Sequence, residues 1–113
     1  MEEKILPDNP LAFITRCLRE HKVIWTYHIN MRLAHRSISR DEILASVDSM
    51  EIIEEYSTDK YLPSFLLYAQ LGTKIFHVQI AIDVRGDNVR IITTYQPDPS
   101  EWREDLKKRR EEK

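Results

Sequence analysis

The sequence is poor in the residues and runs that support several common kinds of protein. One cysteine, Cys17, occurs in 113 residues. A lone cysteine cannot form an internal disulfide, which favours a reducing compartment and predicts a cytoplasmic protein. No apolar run approaches the roughly 20 residues that span a bilayer. None follows the acidic start of the chain either, so neither a membrane segment nor a signal peptide is expected.

Motifs for phosphate loops, nucleophile elbows and paired carboxylates are missing as well. His28 and His35 have no cysteine or carboxylate beside them at ligand spacing, so no metal site and no cofactor are expected. The composition is that of a globular protein, with 42% hydrophobic and 32% charged residues. The sequence therefore predicts one domain over residues 1–113, and its net charge of −2 indicates no particular partner.

Capping residues predict helices in the N-terminal part of the chain. Asn9 before Pro10 begins a first helix that runs to about residue 21 and places Cys17 in the core. A second helix is expected from residue 26 to about residue 38. Ser39 caps a third, and Glu42 completes a capping box with it.

Four β-rich segments follow, at about 52–56, 64–71, 74–84 and 89–95, and the turns between the last three are short. This spacing predicts an antiparallel meander. In the third segment Phe76, Val78, Ile80 and Ile82 alternate, so they are expected to face the core. Ser100 should cap a C-terminal helix over residues 101–110. The expected fold class is α+β, with N-terminal helices, a central sheet of about four strands and a C-terminal helix.

Charge is unevenly distributed along the chain. Residues 21–40 contain four Lys/Arg, three of the four histidines and no acid, whereas residues 41–59 contain seven acids and no Lys/Arg. Within the basic block His28, Arg32 and His35 stand at i, i+4 and i+7, so they share one helix face, with Arg36 one step round it. Imidazoles can exchange protons near neutral pH and guanidiniums bind phosphate. This combination is what metal-free RNA cleavage needs, although a solvated helix face explains the same pattern.

Two other polar positions stand out in the strands. His77 and Gln79 face away from the core in the third strand, which indicates a concave site on that side. The alternative for His77 is a structural histidine that bonds to a neighbour. Thr94 and Tyr95 end the fourth strand before a sharp turn. A tyrosine there can stack on a base, or it can be an aromatic at the edge of the core.

The run from His28 to Ser39 resembles the H-A-x-x-R-M-x-x-R-G-I-S opening of a widespread bacterial family of small proteins with a domain of unknown function. The resemblance covers about residues 26–110 and continues in Glu51–Tyr56, Pro63–Ser64, His77–Val78, Ile92–Pro99 and Trp102. The family is distantly similar to RelE-like and BrnT-like toxins. The resemblance implies a compact α+β fold, cleavage of free or ribosome-bound mRNA, and neutralisation by a partner antitoxin such as a small zinc-finger protein.

The hypothesis that follows is a metal-independent endoribonuclease of the toxin kind. Its expected catalytic residues are His28, His77 and Tyr95, and its expected substrate-binding residues are Arg32, His35, Arg36 and Thr94. Two positions depart from the family pattern, because Ser37 replaces a glycine and His35 stands where an acid is common. The alternatives are a protein-binding module that uses acidic residues 41–59 and the outer edge of the sheet, and a family member that has lost its activity.

Overall fold

The structure is a computed structural model that describes residues 5–26, 38–57 and 61–110. Its elements are, in chain order, α1 (Pro10–Arg19), β1 (Val23–Trp25), α2 (Arg40–Ala45), a 3-10 helix (Val47–Ser49), β2 (Glu51–Tyr56), β3 (Ser64–Leu71), β4 (Lys74–Asp83) and β5 (Asn88–Tyr95). The second predicted helix falls mainly on residues 27–37, which lie outside the described residues. In the described ranges, no helix has the length and apolar character that crossing a membrane requires.

Helix α1 begins and ends at local signals. The Asn9 side chain accepts a hydrogen bond of 3.0 Å from the backbone N–H three residues later, as its role of N-cap predicts. At the other end His21 adopts a left-handed backbone conformation with φ 60°. The N–H of Lys22 then donates to the carbonyl of Cys17 at 2.8 Å, which closes the helix just short of the predicted residue 21.

Helix α2 has the capping box that the sequence predicts. The Ser39 hydroxyl accepts from the backbone N–H of Glu42 at 3.1 Å, and the Glu42 carboxylate accepts from the backbone N–H of Ser39 at 2.9 Å. The carboxylate also pairs with Lys74 of β4 at 2.8 Å. The cap therefore fixes both the start of α2 and its position against the sheet.

The four predicted strands form the predicted antiparallel meander, β2 to β5. A fifth strand, β1, was not predicted and pairs in parallel with β5, so the sheet is mixed and its order is β1-β5-β4-β3-β2. Three residues are too few to show an alternating pattern, so the sequence alone does not indicate β1. The pairing of β2 with β3 shifts between Ile52 and Glu54, which leaves Ile53 as a bulge in this end strand.

One face of the sheet packs against the helices and forms the core. Phe76, Val78, Ile80 and Ile82 of β4 are all fully buried there, which confirms the predicted core face. Cys17 packs in the same core, and burial raises the pKa of its thiol, as suits a structural rather than a reactive cysteine. The face of the sheet toward the helices is thus covered by buried apolar side chains.

The prediction of a C-terminal helix over residues 101–110 is wrong. Residues 97–110, here called the strap, form turns and one isolated bridge between Trp102 and Arg109. Backbone bonds run across the strap, from the N–H of Arg103 to the carbonyl of Lys108 at 2.7 Å. The charged composition favours a helix, but burial of Trp102, which is 1% exposed, draws the chain back across the sheet instead.

Removing the capping box should weaken the packing of α2 without altering the sheet. Ser39→Ala leaves the Glu42 N–H without its acceptor, so the free energy of unfolding should fall by about 1 kcal/mol, measured by urea denaturation. Ser39→Thr keeps the hydroxyl and is the matched control, with a smaller loss. Equal losses in the two variants would contradict the capping role.

Candidate functional site

The face of the sheet opposite the helices, here called the second face, carries most of the polar side chains of the strands. On β4 it receives His77, Gln79 and Ala81, which alternate with the core residues. Tyr68 of β3 and Tyr95 of β5 are the direct cross-strand partners of His77. The pairing therefore brings an imidazole and two phenol rings together at one end of this face.

His77 is fully buried beneath the strap. Its Nε2 lies 2.6 Å from the carbonyl oxygen of Leu106, and its Nδ1 lies 3.3 Å from the hydroxyl of Tyr95. The Trp102 ring contacts it edge to face, with 4.5 Å between ring centroids. This environment fits a neutral imidazole that donates from Nε2 to Leu106 and accepts at Nδ1 from Tyr95.

The surroundings of His77 also favour its neutral form. Burial lowers the pKa of His77, and the hydrogen bond to Leu106 and the charge of Glu54 only partly oppose this. A buried imidazole with both nitrogens engaged cannot contact a phosphodiester. The predicted role of His77 as an acid or base in contact with RNA therefore disagrees with its position, and the alternative reading, a hydrogen-bonded structural histidine, fits the geometry.

A second group of charged residues lies at the solvent-accessible border of this cluster. Arg109 of the strap donates to both carboxylate oxygens of Glu54, from Nε at 2.7 Å and from Nη2 at 3.1 Å. The Tyr56 hydroxyl donates to the same carboxylate. Glu54, Tyr56 and Arg109 are called the rim below. The Arg109 side chain is 53% exposed and that of Glu54 is 22% exposed, so the rim can meet a solute.

The pKa values at the rim follow from these bonds. Burial raises the pKa of Glu54, but the hydrogen bonds from Arg109 and Tyr56 outweigh it, so the pKa lies below its usual value and the group is ionised at neutral pH. The bond to Glu54 raises the pKa of the Tyr56 hydroxyl, which keeps its proton. The rim thus combines a carboxylate, a phenol and a guanidinium in defined protonation states.

Tyr95 connects the rim with His77. It is half-buried, and burial is the main cause that raises the pKa of its hydroxyl. The charges of Arg109 and Glu54 lie close enough to act on that hydroxyl as well. Tyr95 is therefore bonded to the buried imidazole and lies within electrostatic range of the rim.

Thr94 lies on the other side of β5. It is fully buried, and its Oγ1 donates to the backbone carbonyl of His77 at 2.8 Å. The Thr94 hydroxyl, which is predicted to bind substrate, is therefore enclosed and already bonded in this structure. Its neighbour Tyr95 lies on the second face, across from His77.

The remaining predicted residues, His28, Arg32, His35 and Arg36, lie outside the described residues. Their roles stay predictions. The described chain reaches Thr26, two residues before His28 in the sequence.

Thr26 borders an open pocket of about 190 Å³ on the second face. The lining residues are Thr26, Tyr61, Leu62, Ala81, Arg90 and Ile92. Most of the lining is apolar, but the Tyr61 ring is 79% exposed and the Arg90 guanidinium reaches solvent. Among the described residues, no three or more His, Cys, Asp or Glu side chains are grouped closely enough to hold a metal ion.

Residues 25–96 match a protein family described as a domain of unknown function, DUF4258. The chain belongs to this family. The match covers most of the expected range of 26–110 and the four strands β2 to β5, whereas β1 precedes it except for Trp25. No curated protein and no solved structure gave a significant match.

The boundary of the DUF4258 region divides the site. His77, Tyr95 and Glu54 lie inside it, whereas the strap, with Trp102 and Arg109, follows it. Besides the rim bonds, the strap is held by a 2.7 Å ion pair between Lys107 and Glu51. Lys107 also lies over the Tyr68 ring, and Arg109 lies over the Trp102 ring.

Several of these residues could not be selected from the sequence. Glu54 and Tyr56 alternate along β2, so their common face could be inferred once the strand was predicted. Nothing in the sequence relates them to Arg109, which comes from a segment predicted to be helical. Tyr61 and Arg90 likewise lie 29 residues apart and meet only through the sheet.

The buried His77 should make stability depend on pH. The pKa of His77 is lowered in the folded state. At pH values just below the usual histidine pKa of about 6.5, this residue therefore binds more protons in the unfolded chain than in the folded one. The contribution of neutral His77 is therefore complete above about pH 6.5, and the free energy of unfolding should fall as the pH decreases from there. Thermal denaturation between pH 5 and pH 8 measures this slope.

The variant His77→Gln keeps a donor for the Leu106 carbonyl but has no titrating group, so most of this slope should disappear. His21→Asn, at an exposed left-handed position, is the matched control and should keep it. An unchanged slope in His77→Gln would show that His77 is not the group responsible.

Proposed function

We propose that this protein is a metal-independent endoribonuclease of the toxin kind and that it binds RNA on the second face of its sheet. The observation that carries the proposal is the rim, where one partly exposed carboxylate bonds to a guanidinium and a phenol, within electrostatic range of the Tyr95 hydroxyl. These groups supply a base, a phosphate ligand and proton donors without a metal ion.

The proposed reaction uses the 2′-hydroxyl of RNA as its nucleophile. Glu54, ionised at neutral pH, takes the proton from the 2′-oxygen, which attacks the adjacent phosphorus. Arg109 turns from the carboxylate to the phosphate and stabilises its developing negative charge. The bond from phosphorus to the 5′-oxygen breaks, and a tyrosine hydroxyl of Tyr56 or Tyr95 protonates that oxygen. The products are a 2′,3′-cyclic phosphate and a free 5′-hydroxyl.

His77 has a positioning role in this scheme. Its Nδ1 accepts from the Tyr95 hydroxyl, which fixes the direction of that hydroxyl relative to the rim. Glu54 thus takes the place of base that the sequence hypothesis gave to a histidine. His28 is retained as a further acid or base, and Arg32, His35 and Arg36 are retained as ligands for neighbouring phosphates.

The rim can be tested with a pair of adjacent glutamates. Glu54→Gln keeps the shape of the side chain but removes the base, so RNA cleavage by the pure protein should fall by about 10²- to 10⁴-fold. Glu55→Gln removes the same charge from the neighbouring exposed position, on the opposite face of β2, and should leave cleavage near the parent rate. Cleavage is measured on labelled single-stranded RNA in the presence of a chelator.

Two results would reject this assignment. One is parent protein that leaves RNA intact, both free and on translating ribosomes. The other is a Glu54→Gln variant that is as active as Glu55→Gln while both melt at the parent temperature.

The basic segment is tested separately. The double variant Arg32→Ala/Arg36→Ala should lose growth inhibition when it is produced in cells, because the phosphate clamp is removed. Arg85→Ala/Lys108→Ala removes the same amount of charge from exposed positions elsewhere and should remain toxic. Toxicity that survives in the first variant, with an unchanged melting temperature, contradicts the clamp.

A toxin of this kind acts in the cytoplasm on free or ribosome-bound mRNA and needs an antitoxin, and a small zinc-finger protein is the partner we propose. A second function, that of a protein-binding module without catalysis, is favoured by the position of β2. This strand lies at one end of the sheet and exposes Glu51 and Glu55, which fits a basic partner. The two proposals differ in one result, since only the first requires that the pure protein cleaves RNA.

A further inference from the structure

The pocket beside Thr26 is separate from the rim and has no part in the reaction described above. We infer that this pocket is a subsite for one unpaired nucleobase of an RNA strand, with Arg90 on the adjoining phosphate. The inference rests on the proposed function for the choice of RNA as ligand, and it adds that the bound strand must be single-stranded.

The size of the pocket selects a small ligand. Its volume of about 190 Å³ is below the roughly 300–1,000 Å³ of sites that hold drug-sized molecules. Ala81 forms part of the lining, where a larger side chain on this central strand would fill the space. The pocket can therefore hold a single base.

The chemistry of the lining selects a flat, partly apolar ligand. Ala81 and Ile92 present apolar surface, and the Tyr61 ring beside them is 79% exposed. Bases stack on exposed tyrosine rings in proteins that bind single strands, and such stacking does not require a particular sequence. A base-paired duplex cannot offer its base faces in this way.

Arg90 supplies the positive charge at the border of the pocket. Its ion pair with Asp83 is 3.5 Å long, whereas the pair between Arg16 and Asp87 is 2.5 Å long. The Arg90 side chain is 45% exposed. A phosphate group can consequently compete for this guanidinium, which binds phosphate in a bidentate manner.

The pocket and the rim lie within reach of one strand of RNA. Ala81 of β4 is aligned with Tyr56 of the rim through Ser64 of β3, so their backbones lie two strands, or about 10 Å, apart across the sheet. A base held in the pocket would thus fix the register of the RNA relative to the rim.

The test measures binding without cleavage. The probe is a short fluorescent 2′-O-methyl oligonucleotide, which lacks the free 2′-hydroxyl that the proposed reaction needs, and its dissociation constant is read by fluorescence anisotropy. Tyr61→Ala should weaken binding by roughly 5- to 150-fold, the range expected for one lost stacking contact. Tyr61→Phe retains the ring and should bind like the parent.

Two further variants test the size of the pocket and the positive charge at its border. Ala81→Val narrows the pocket without changing charge and should also weaken binding. Arg90→Ala should lower the salt dependence of log affinity by about 0.7, the slope lost with one phosphate contact on a single strand. Arg85→Ala, which removes an arginine from the exposed turn after β4, should leave the slope unchanged.

The outcomes separate this inference from the proposed function. The subsite is overturned if the parent does not bind the probe, if Tyr61→Ala and Ala81→Val bind like the parent, or if the same sequence binds equally well as a duplex. If binding depends on Tyr61 but unmodified RNA is never cleaved, the subsite stands and the proposed cleavage is rejected.

Discussion

The hydrogen bond from His77 to the carbonyl of Leu106 determines the arrangement of the second face. A histidine in the middle of a buried strand must bond at both nitrogens, because an unsatisfied polar group in such a place is costly. Tyr95 satisfies one nitrogen, and the strap must satisfy the other. Leu106 does so with a left-handed backbone (φ 60°), a conformation that costs a non-glycine residue about 1 kcal/mol or more. Burial of Trp102 against the same imidazole offsets that cost, and the path fixed in this way brings Arg109 to Glu54.

The two faces of the sheet differ in the side chains that they carry. The helix-side face is filled with fully buried aliphatic and aromatic side chains, so its shape is rigid. The second face carries imidazole, phenol, carboxylate and guanidinium groups on that rigid support. The DUF4258 region supplies strands β2 to β5, whereas the strap that follows it supplies the guanidinium of the rim. A chain with the same sheet and a different C-terminal segment would therefore keep the fold but present different groups beside Tyr95.

Local signals made much of the fold predictable. The N-caps Asn9 and Ser39, the alternation in β4 and the short turns of the meander each depend on near neighbours in the chain, and all of them are confirmed. The site was harder to predict, because its groups meet through pairing and burial over long separations. Arg109 and Glu54 are 55 residues apart, and the charge pattern around Arg109 favours a helix. The sequence marks His77 as unusual for a central strand. No sequence pattern, however, indicates whether a polar side chain on the second face will be exposed or buried.

The bulge at Ile53 has a consequence for the behaviour of the protein at high concentration. Among the described residues β2 pairs only with β3, so its other side is a row of backbone donors and acceptors at the end of the sheet. A straight strand in that position is a template for sheet-to-sheet aggregation. The irregular hydrogen-bonding repeat at Ile53 and the negative charge of the exposed Glu55 make this border a poor template for a second copy of the same chain, which would bring the same bulge and the same charge.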